Sequence, residues 1–163
     1  MKAIRYALIL TALELAVCVF SNFDLGVFIP SSLLILVPFA AFNLLAAETL
    51  PENWAPGVIV FLSVVFLGAL DIITSYQVVW IASTADETNA AMRSILGNPL
   101  TFTALKMGVD TLSAGIVYAL IMMGSIGRGK SDFMKKAGLI AGIALVMFMT
   151  LPPVNNFVVL QMA

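Results

Sequence analysis

The chain has no histidine, a single cysteine (Cys18) and few charged residues, which make up 10% of its 163 residues. Zinc, copper and haem sites depend mainly on histidine or cysteine ligands. A self-contained metal or haem site is therefore not expected, and a Ser-His or Cys-His catalytic pair is excluded. One cysteine cannot form a disulfide within the chain, and Cys18 lies in an apolar run, where we expect it to pack as a small hydrophobe.

Apolar residues are abundant instead: they make up 61% of the chain, and the mean hydropathy is +1.07. Soluble domains are about 45–50% apolar and about 25% charged. A chain of this length cannot bury so much apolar surface in water, so lipid contacts are expected. We predict an all-α polytopic membrane protein, a single transmembrane helical domain over residues 1–163, in the inner or plasma membrane. The net charge of −1 does not favour nucleic acid as a partner.

Polar connectors divide the chain into apolar segments long enough to span a bilayer. We predict five transmembrane helices, over residues 2–20, 30–47, 57–82, 99–123 and 137–151. Pro152-Pro153 is expected to kink or end the fifth helix, with residues 154–163 resuming as a short helix. Residues 87–96 are a candidate for a short interfacial helix. Glu14 interrupts the first segment and no clear cleavage site follows, so we interpret it as a retained helix rather than a signal peptide.

The basic residues predict the orientation of these helices. They form two clusters, one at the amino terminus and one after the fourth helix: Lys2, Arg5, Arg128, Lys130, Lys135 and Lys136. Four crossings return the chain to its starting side, so both clusters lie on the same side of the membrane. By the positive-inside rule that side is cytoplasmic. The amino terminus is therefore predicted inside and the carboxyl terminus outside.

Three charged residues, Asp71, Lys106 and Asp110, lie inside the predicted third and fourth membrane helices. A charge there costs about 2.5–3.5 kcal/mol on insertion scales, so it is usually paired or functional. The helical rise places Asp71 about 16 Å below the outer boundary, and Lys106 and Asp110 about 10 and 16 Å below it. Thr74 shares a helix face with Asp71, and Glu14 lies about 9 Å from the same side. These five residues form the predicted intramembrane polar cluster.

The cluster admits more than one interpretation. In the structural one, Lys106 neutralises Asp71 or Asp110 and holds the third and fourth helices together. In the functional one, the surplus carboxyl groups form a proton, ion or substrate site, because an unpaired buried carboxyl takes up a proton rather than staying charged. An aspartyl protease needs two carboxyls that share a proton. The residues around Asp71 and Asp110 do not match the Tyr-Asp and Gly-x-Gly-Asp motifs of intramembrane aspartyl proteases.

Two weaker patterns lie in the last segment. Gly138 and Gly142 form a small-xxx-small pair, which is typical of positions where another helix approaches closely. Asn155 and Asn156 are interpreted as a helix terminus. The methionines of the fourth and fifth helices are expected to fill packing gaps rather than to bind ligands.

The third and fourth helices carry a spaced motif: Asp71-Ile72-Ile73-Thr74, Glu87-Thr88-Asn89 and Asn98-Pro99-Leu100, followed by Phe102 and Lys106. It resembles a family of small prokaryotic integral membrane proteins that is defined only as a domain of unknown function. That family has an aspartate and a threonine in one helix, a Glu-x-Asn-Pro turn and a lysine in the next helix. Here Ala90 follows Asn89, and the Asn-Pro pair stands at Asn98-Pro99.

The resemblance implies that Asp71, Thr74, Glu87, Asn89 and Lys106 form one site, but it implies no activity. Glu87, Asn89 and Asn98 would form a turn at the outer ends of the third and fourth helices. Glu87 or Asn89 is expected to cap the start of the fourth helix, whose first N–H groups lack partners. Lys106 is expected to reach Asp71 from below.

The sequence favours a non-catalytic function: a small subunit or accessory protein that packs against other membrane protein subunits or against copies of itself. The alternative is an oligomeric ion- or proton-coupled transporter that uses Asp71, Lys106, Asp110 and Glu14. An intramembrane enzyme ranks last, because no nucleophile and base can be recognised. Cofactors remain open, since lipids and pigments need no charged residue for binding.

Overall fold

The computed structural model describes residues 3–21, 25–81, 97–126 and 131–162, and these ranges are helical apart from short connectors. The helices are α1 (Ala3–Ser21), α2 (Leu25–Thr49), α3 (Ala55–Ser75), α4 (Pro99–Ile126) and α5 (Ser131–Met162), and a π-helical turn (Tyr76–Ile81) extends α3. The all-α class is confirmed, and the described ranges contain no strand. The candidate interfacial helix at 87–96 lies outside them.

Three of the helical stretches are long and apolar enough to cross a membrane: Ala55–Trp80, Pro99–Ser125 and Asp132–Leu160. The part of α2 with described side chains forms a shorter apolar helix, Leu36–Thr49. These lengths and compositions support a membrane-associated helical protein. The number of membrane crossings and their orientation remain predictions.

Helix α3 is the centre of the bundle. In its most apolar stretch 56% of the residues are buried, against 33% in α4 and 39% in α5. Its start carries a proline in the first turn, where the missing N–H costs nothing. Its buried residues recur every three or four positions, from Ile59 and Val60 through Ser63, Val64 and Leu67. This spacing forms one helix face that packs on α4 and α5.

Contacts between the helices show that α1, α3 and α5 run in the same direction. The Tyr6 hydroxyl donates a hydrogen bond to the Leu139 carbonyl at 3.1 Å, and further along both helices Glu14 meets Thr150. In the same order, Val60 of α3 lies against Gly142 of α5, and Asp71 lies near Asn156.

Helix α4 runs antiparallel to α3. Tyr118 lies against Gly57, Asp110 against Gly68, and Thr103 beside Tyr76. Helix α2 reverses into α3 through a short connector, and the Ser63 hydroxyl donates to Asn43 Oδ1 at 3.1 Å. Successive helices therefore alternate in direction. We call the end where α1, α3 and α5 begin the basic end, since it carries Arg5, Lys135 and Lys136.

The small-residue pair of α5 lies where helices approach closely. A Cβ atom at Gly138 would lie 2.9 Å from the backbone nitrogen of Ile121 on α4. A Cβ atom at Gly142 would lie 2.8 Å from Val60 Cγ2 on α3. Contacts as short as these essentially never occur, so glycine at both positions allows α5 to pack against α4 and α3 as it does.

The sequence allowed the last helix either to kink or to end at Pro152-Pro153. The end is wrong, because α5 continues through both prolines to Met162. The two prolines lack N–H groups, so the carbonyls of Phe148 and Met149 lose their donors four residues on. Such losses are tolerated in membrane helices when neighbouring helices hold the segment in place. Helix α5 packs against all four other helices, which supports its continuation.

Asn98 caps the start of α4. The Thr101 N–H donates to Asn98 Oδ1 at 3.1 Å, and the Phe102 N–H donates to the Asn98 carbonyl at 3.0 Å. Pro99 occupies the first helical position, where its fixed φ suits the helix. The sequence assigned this capping role to Glu87 or Asn89, and both lie outside the described residues.

Candidate functional site

An ion pair joins α3 and α4 inside the bundle. Lys106 Nζ lies 2.6 Å from Asp71 Oδ2, and the two side chains are 15% and 3% exposed. The antiparallel arrangement of α3 and α4 brings these residues to the same level. Of the two partners that the sequence left open for Lys106, the structure pairs it with Asp71.

The second carboxylate oxygen of Asp71 is held by α5 and by α3 itself. Asp71 Oδ1 accepts hydrogen bonds from Asn156 Nδ2 at 3.0 Å and from the Ser75 hydroxyl at 3.3 Å. Asn156 Nδ2 also lies 3.0 Å from the Thr74 hydroxyl oxygen, and Thr74 donates to the Asp71 carbonyl at 3.1 Å. Hydrogen bonds to a charged acceptor are about twice as strong as neutral ones. The network therefore ties α3, α4 and α5 together at one level.

Asn156 and Ser75 belong to this network, but sequence reasoning missed both. The Pro152-Pro153 pair suggested that the helix ended, so Asn156 was interpreted as part of a terminus. That interpretation is wrong, because Asn156 lies inside α5. Two signals were available. Asn156 is a polar residue beside the apolar run 157–160, and Ser75 is spaced i, i+4 from Asp71, on the same helix face.

Asp110 lies beside the ion pair and packs against α3. It is 8% exposed, and its carboxyl group is close enough to Lys106 and Asp71 to interact electrostatically with both. A Cβ atom at Gly68 would lie 2.5 Å from Asp110 Oδ2, so the glycine leaves room for the carboxyl group. Within the described part of the chain, Asp110 Oδ2 has no hydrogen-bond partner. This oxygen is an open acceptor next to a paired charge.

Glu14 makes its contact at a different level of α5. Its Oε2 atom lies 2.6 Å from the hydroxyl of Thr150, which is six residues before Asn156, or about 9 Å along the helix. The structure thus places Asp71, Thr74, Lys106 and Asp110 together and places Glu14 with Thr150. Sequence reasoning also missed Thr150, since threonine is common in membrane helices and nothing in its local pattern marks it.

Aromatic side chains cover the polar cluster on the side away from the basic end. Tyr76 and Trp80 lie in the π-helical turn, with ring centroids 4.4 Å apart. The rings of Trp80 and Phe102 pack edge to face, with centroids 5.3 Å apart. Lys106 Nζ lies 5.1 Å from the centre of the Phe102 ring. The Tyr76 hydroxyl is 3.0 Å from that of Thr103. Single π-helical turns are frequent at functional sites.

Among the residues that the structure describes, no three acidic or cysteine side chains are grouped as a metal site would require. The outer turn proposed from the resemblance is represented only by Asn98, since Glu87 and Asn89 lie outside the described ranges. Comparison of the chain with protein-family models, with curated proteins and with solved structures finds no match. The family resemblance therefore stays a prediction, and the functional argument rests on the geometry.

Proposed function

We propose that this protein is a non-catalytic integral membrane subunit or accessory protein, which packs against another membrane protein through the outward face of α4. We further propose that all five helices cross the plasma membrane, with the amino terminus in the cytoplasm and the carboxyl terminus outside. The alternating helix directions support five crossings. The grouping of Arg5, Lys135 and Lys136 at one end supports the orientation, because basic residues favour the cytoplasmic side.

The observation that carries the proposal is the open face of α4. A groove of about 760 Å³ lies along it, lined by Phe61 of α3 and by seven residues of α4: Met107, Gly108, Thr111, Leu112, Gly115, Ile116 and Ala119. A Cβ atom at Gly108 or Gly115 would meet nothing within 4 Å. The described helices therefore leave this face uncovered.

The residues of this face match a pattern for helix association. Thr111, Gly115 and Ala119 are spaced four apart, so they form a stripe of small side chains on one side of α4. In lipid, small residues let two helix backbones approach closely, and van der Waals packing then drives association. The same chain uses Gly138 and Gly142 of α5 in this way for its own packing. On α4 the equivalent surface is left for a partner.

The ion-pair network has a structural role in this proposal. Asp71 has Lys106 on one carboxylate oxygen and Asn156 and Ser75 on the other, so its charge is well compensated. Because the network links three helices, it holds α4 in a defined position relative to α3 and α5. A fixed α4 presents a preorganised surface, which reduces the cost of binding a partner.

The partner surface can be tested with Gly115→Leu. The new side chain points into open space, and leucine favours a helix over glycine by about 0.5–1 kcal/mol, so we expect no loss in the free energy of unfolding of the purified protein. We expect the amount of partner that co-isolates in a gentle detergent to fall about tenfold, which corresponds to about 1.4 kcal/mol of binding free energy. The measurement is a pull-down of the tagged protein from native membranes, quantified by mass spectrometry.

Ala12→Leu is the matched control, because Ala12 is an exposed small residue on α1, away from the groove. It should leave the co-isolated partner unchanged. A wild-type protein that is monomeric in detergent and co-isolates with nothing would contradict the proposal. An unchanged amount of partner in Gly115→Leu would show that the α4 face is not the contact.

A small ion- or proton-coupled transporter is the second candidate, favoured by the open Oδ2 atom of Asp110 beside Lys106. Five helices leave little interior, so a path would require an oligomer. In liposomes under a pH gradient we expect a flux that is abolished by Asp71→Asn and by Asp110→Asn. Asp132→Asn, which alters an exposed pair with Lys136, should preserve it. Absence of flux from the reconstituted oligomer would remove this candidate.

A further inference from the structure

A second acidic site lies in the interior of the bundle, at the contact between α1 and α5. Glu14 is fully buried at 0% exposure, as is Thr150. Their side chains meet at 2.6 Å, between Glu14 Oε2 and Thr150 Oγ1. Neither the ion-pair network nor the open face of α4 uses this contact. Its interpretation is independent of the proposed function.

The Thr150 hydroxyl has two oxygen neighbours within hydrogen-bond distance but only one hydrogen to donate. Thr150 Oγ1 lies 2.9 Å from the carbonyl oxygen of Val146, one turn earlier in α5, and 2.6 Å from Glu14 Oε2. A hydroxyl group carries one hydrogen and accepts through its lone pairs. If that hydrogen goes to the Val146 carbonyl, the hydrogen between Thr150 and Glu14 must come from the carboxyl group. Glu14 is then a carboxylic acid, and Thr150 is its acceptor.

The other carboxyl oxygen supports the same assignment. Glu14 Oε1 is buried and has no hydrogen-bond partner among the described residues. A carboxylate oxygen left bare in an apolar interior carries a large desolvation cost, whereas the carbonyl oxygen of a neutral acid carries a much smaller one. Oε1 lacks a partner in either form, and this costs less when Glu14 is neutral, so the surroundings favour the neutral acid.

No described cation lies close enough to Glu14 to form an ion pair. The charged groups on the helices that pack against α1 are Glu48 on α2, Asp71 on α3, and Asp132, Lys135 and Lys136 on α5. Lys136 is 14 residues before Thr150, about 21 Å along α5. On α1 itself, Arg5 is nine residues before Glu14, about 13 Å away along the helix. Lys106 on α4 is paired with Asp71.

We propose that Glu14 and Thr150 form a proton-binding site inside the bundle, in which Glu14 is a neutral acid that donates a hydrogen bond to the Thr150 hydroxyl. The ligand of this site is a proton, and its acceptor is a hydroxyl fixed by the Val146 carbonyl of the preceding turn. The site is distinct from the Asp71 and Lys106 pair, which needs a charged carboxylate.

Infrared spectroscopy of the full-length protein in lipid at neutral pH tests the assignment. A carboxylic acid has a carbonyl band that a carboxylate lacks, so we expect such a band in the wild type and its loss in Glu14→Gln. Labelling all glutamates with ¹³C should shift the band in the unmodified protein, which separates Glu14 from Asp110 and does not depend on any variant folding. Asp110→Asn serves as the matched control and should leave the Glu14 band in place.

Two variants of Thr150 test the acceptor. Thr150→Ser keeps the hydroxyl and should leave the band where it is, whereas Thr150→Val removes the acceptor and should shift it. A wild-type spectrum with no band that moves on ¹³C-glutamate labelling would show that Glu14 is ionised and would overturn the proposal. A band that moves with the label but persists in Glu14→Gln would also overturn it, since another glutamate would then hold the proton.

Discussion

Lys106→Met is expected to lower the free energy of unfolding by about 3–5 kcal/mol, because it leaves the charge of Asp71 buried without its partner. Asp71→Asn should also destabilise, since it removes the carboxylate that Lys106, Asn156 and Ser75 all contact. The double variant, with both charges removed, should be more stable than either single variant. Replacing both members of a buried pair is often close to neutral, whereas removing one is not.

The measurement is reversible unfolding in bicelles or mixed micelles for the wild type, both single variants and the double variant. Lys136→Met is the matched control, because its pair with Asp132 has the same 2.6 Å distance but side chains that are 70% and 69% exposed. That change should have a much smaller effect, because exposed ion pairs contribute little to stability. A double variant whose loss equals the sum of the two single losses would show that the two charges do not depend on each other.

Gly138→Leu is expected to have the second largest effect, a loss of about 3 kcal/mol in the free energy of unfolding. Its Cβ atom would lie 2.9 Å from the backbone nitrogen of Ile121, and a hydrogen-bonded backbone atom of α4 cannot move aside as a flexible side chain can. Helix α5 would have to shift away from α4 and lose packing along the contact.

Gly115→Leu is the matched control for this prediction, since it makes the same substitution where a Cβ atom meets nothing within 4 Å. The two variants should differ clearly in unfolding midpoint under the same conditions. If Gly138→Leu were as stable as Gly115→Leu, the close approach of α4 and α5 would be wrong. Because Gly115→Leu is also the variant expected to lose the partner, it separates folding from assembly.

The contact between Asp71 and Lys106 could be predicted from the sequence because it depends on the position of each residue along its helix and on the direction of the two helices. The helical rise sets the depth of each residue, and consecutive helices joined by a turn run antiparallel. Those two facts bring Asp71 and Lys106 to a similar level before any packing is known. They do not decide whether Asp71 or Asp110 receives the lysine, since that depends on how α3 and α4 are rotated about their axes. Gly68 sets that rotation in part, by making room for the Asp110 carboxyl.

The contacts of Asn156 and Thr150 could not be predicted from the sequence in the same way. Both act through α5, whose neighbours are distant in the chain: Glu14 is 136 residues before Thr150, and Asp71 is 85 residues before Asn156. Local rules also pointed the wrong way, because a proline pair normally ends a helix. Packing against the other four helices keeps α5 helical past the prolines, and only that continuity carries Asn156 to Asp71.

The amino-acid sequence by itself determined the helical class, the association with a membrane and the similar level of Asp71 and Lys106 along neighbouring helices. These properties follow from hydropathy, segment length and helical rise, which are local. The tertiary structure decided the partner of Lys106, the separation of Glu14 from the ion-pair network, and the face of α4 that the described helices leave open. Those outcomes depend on the rotation and spacing of packed helices, which are set by contacts between residues far apart in the chain.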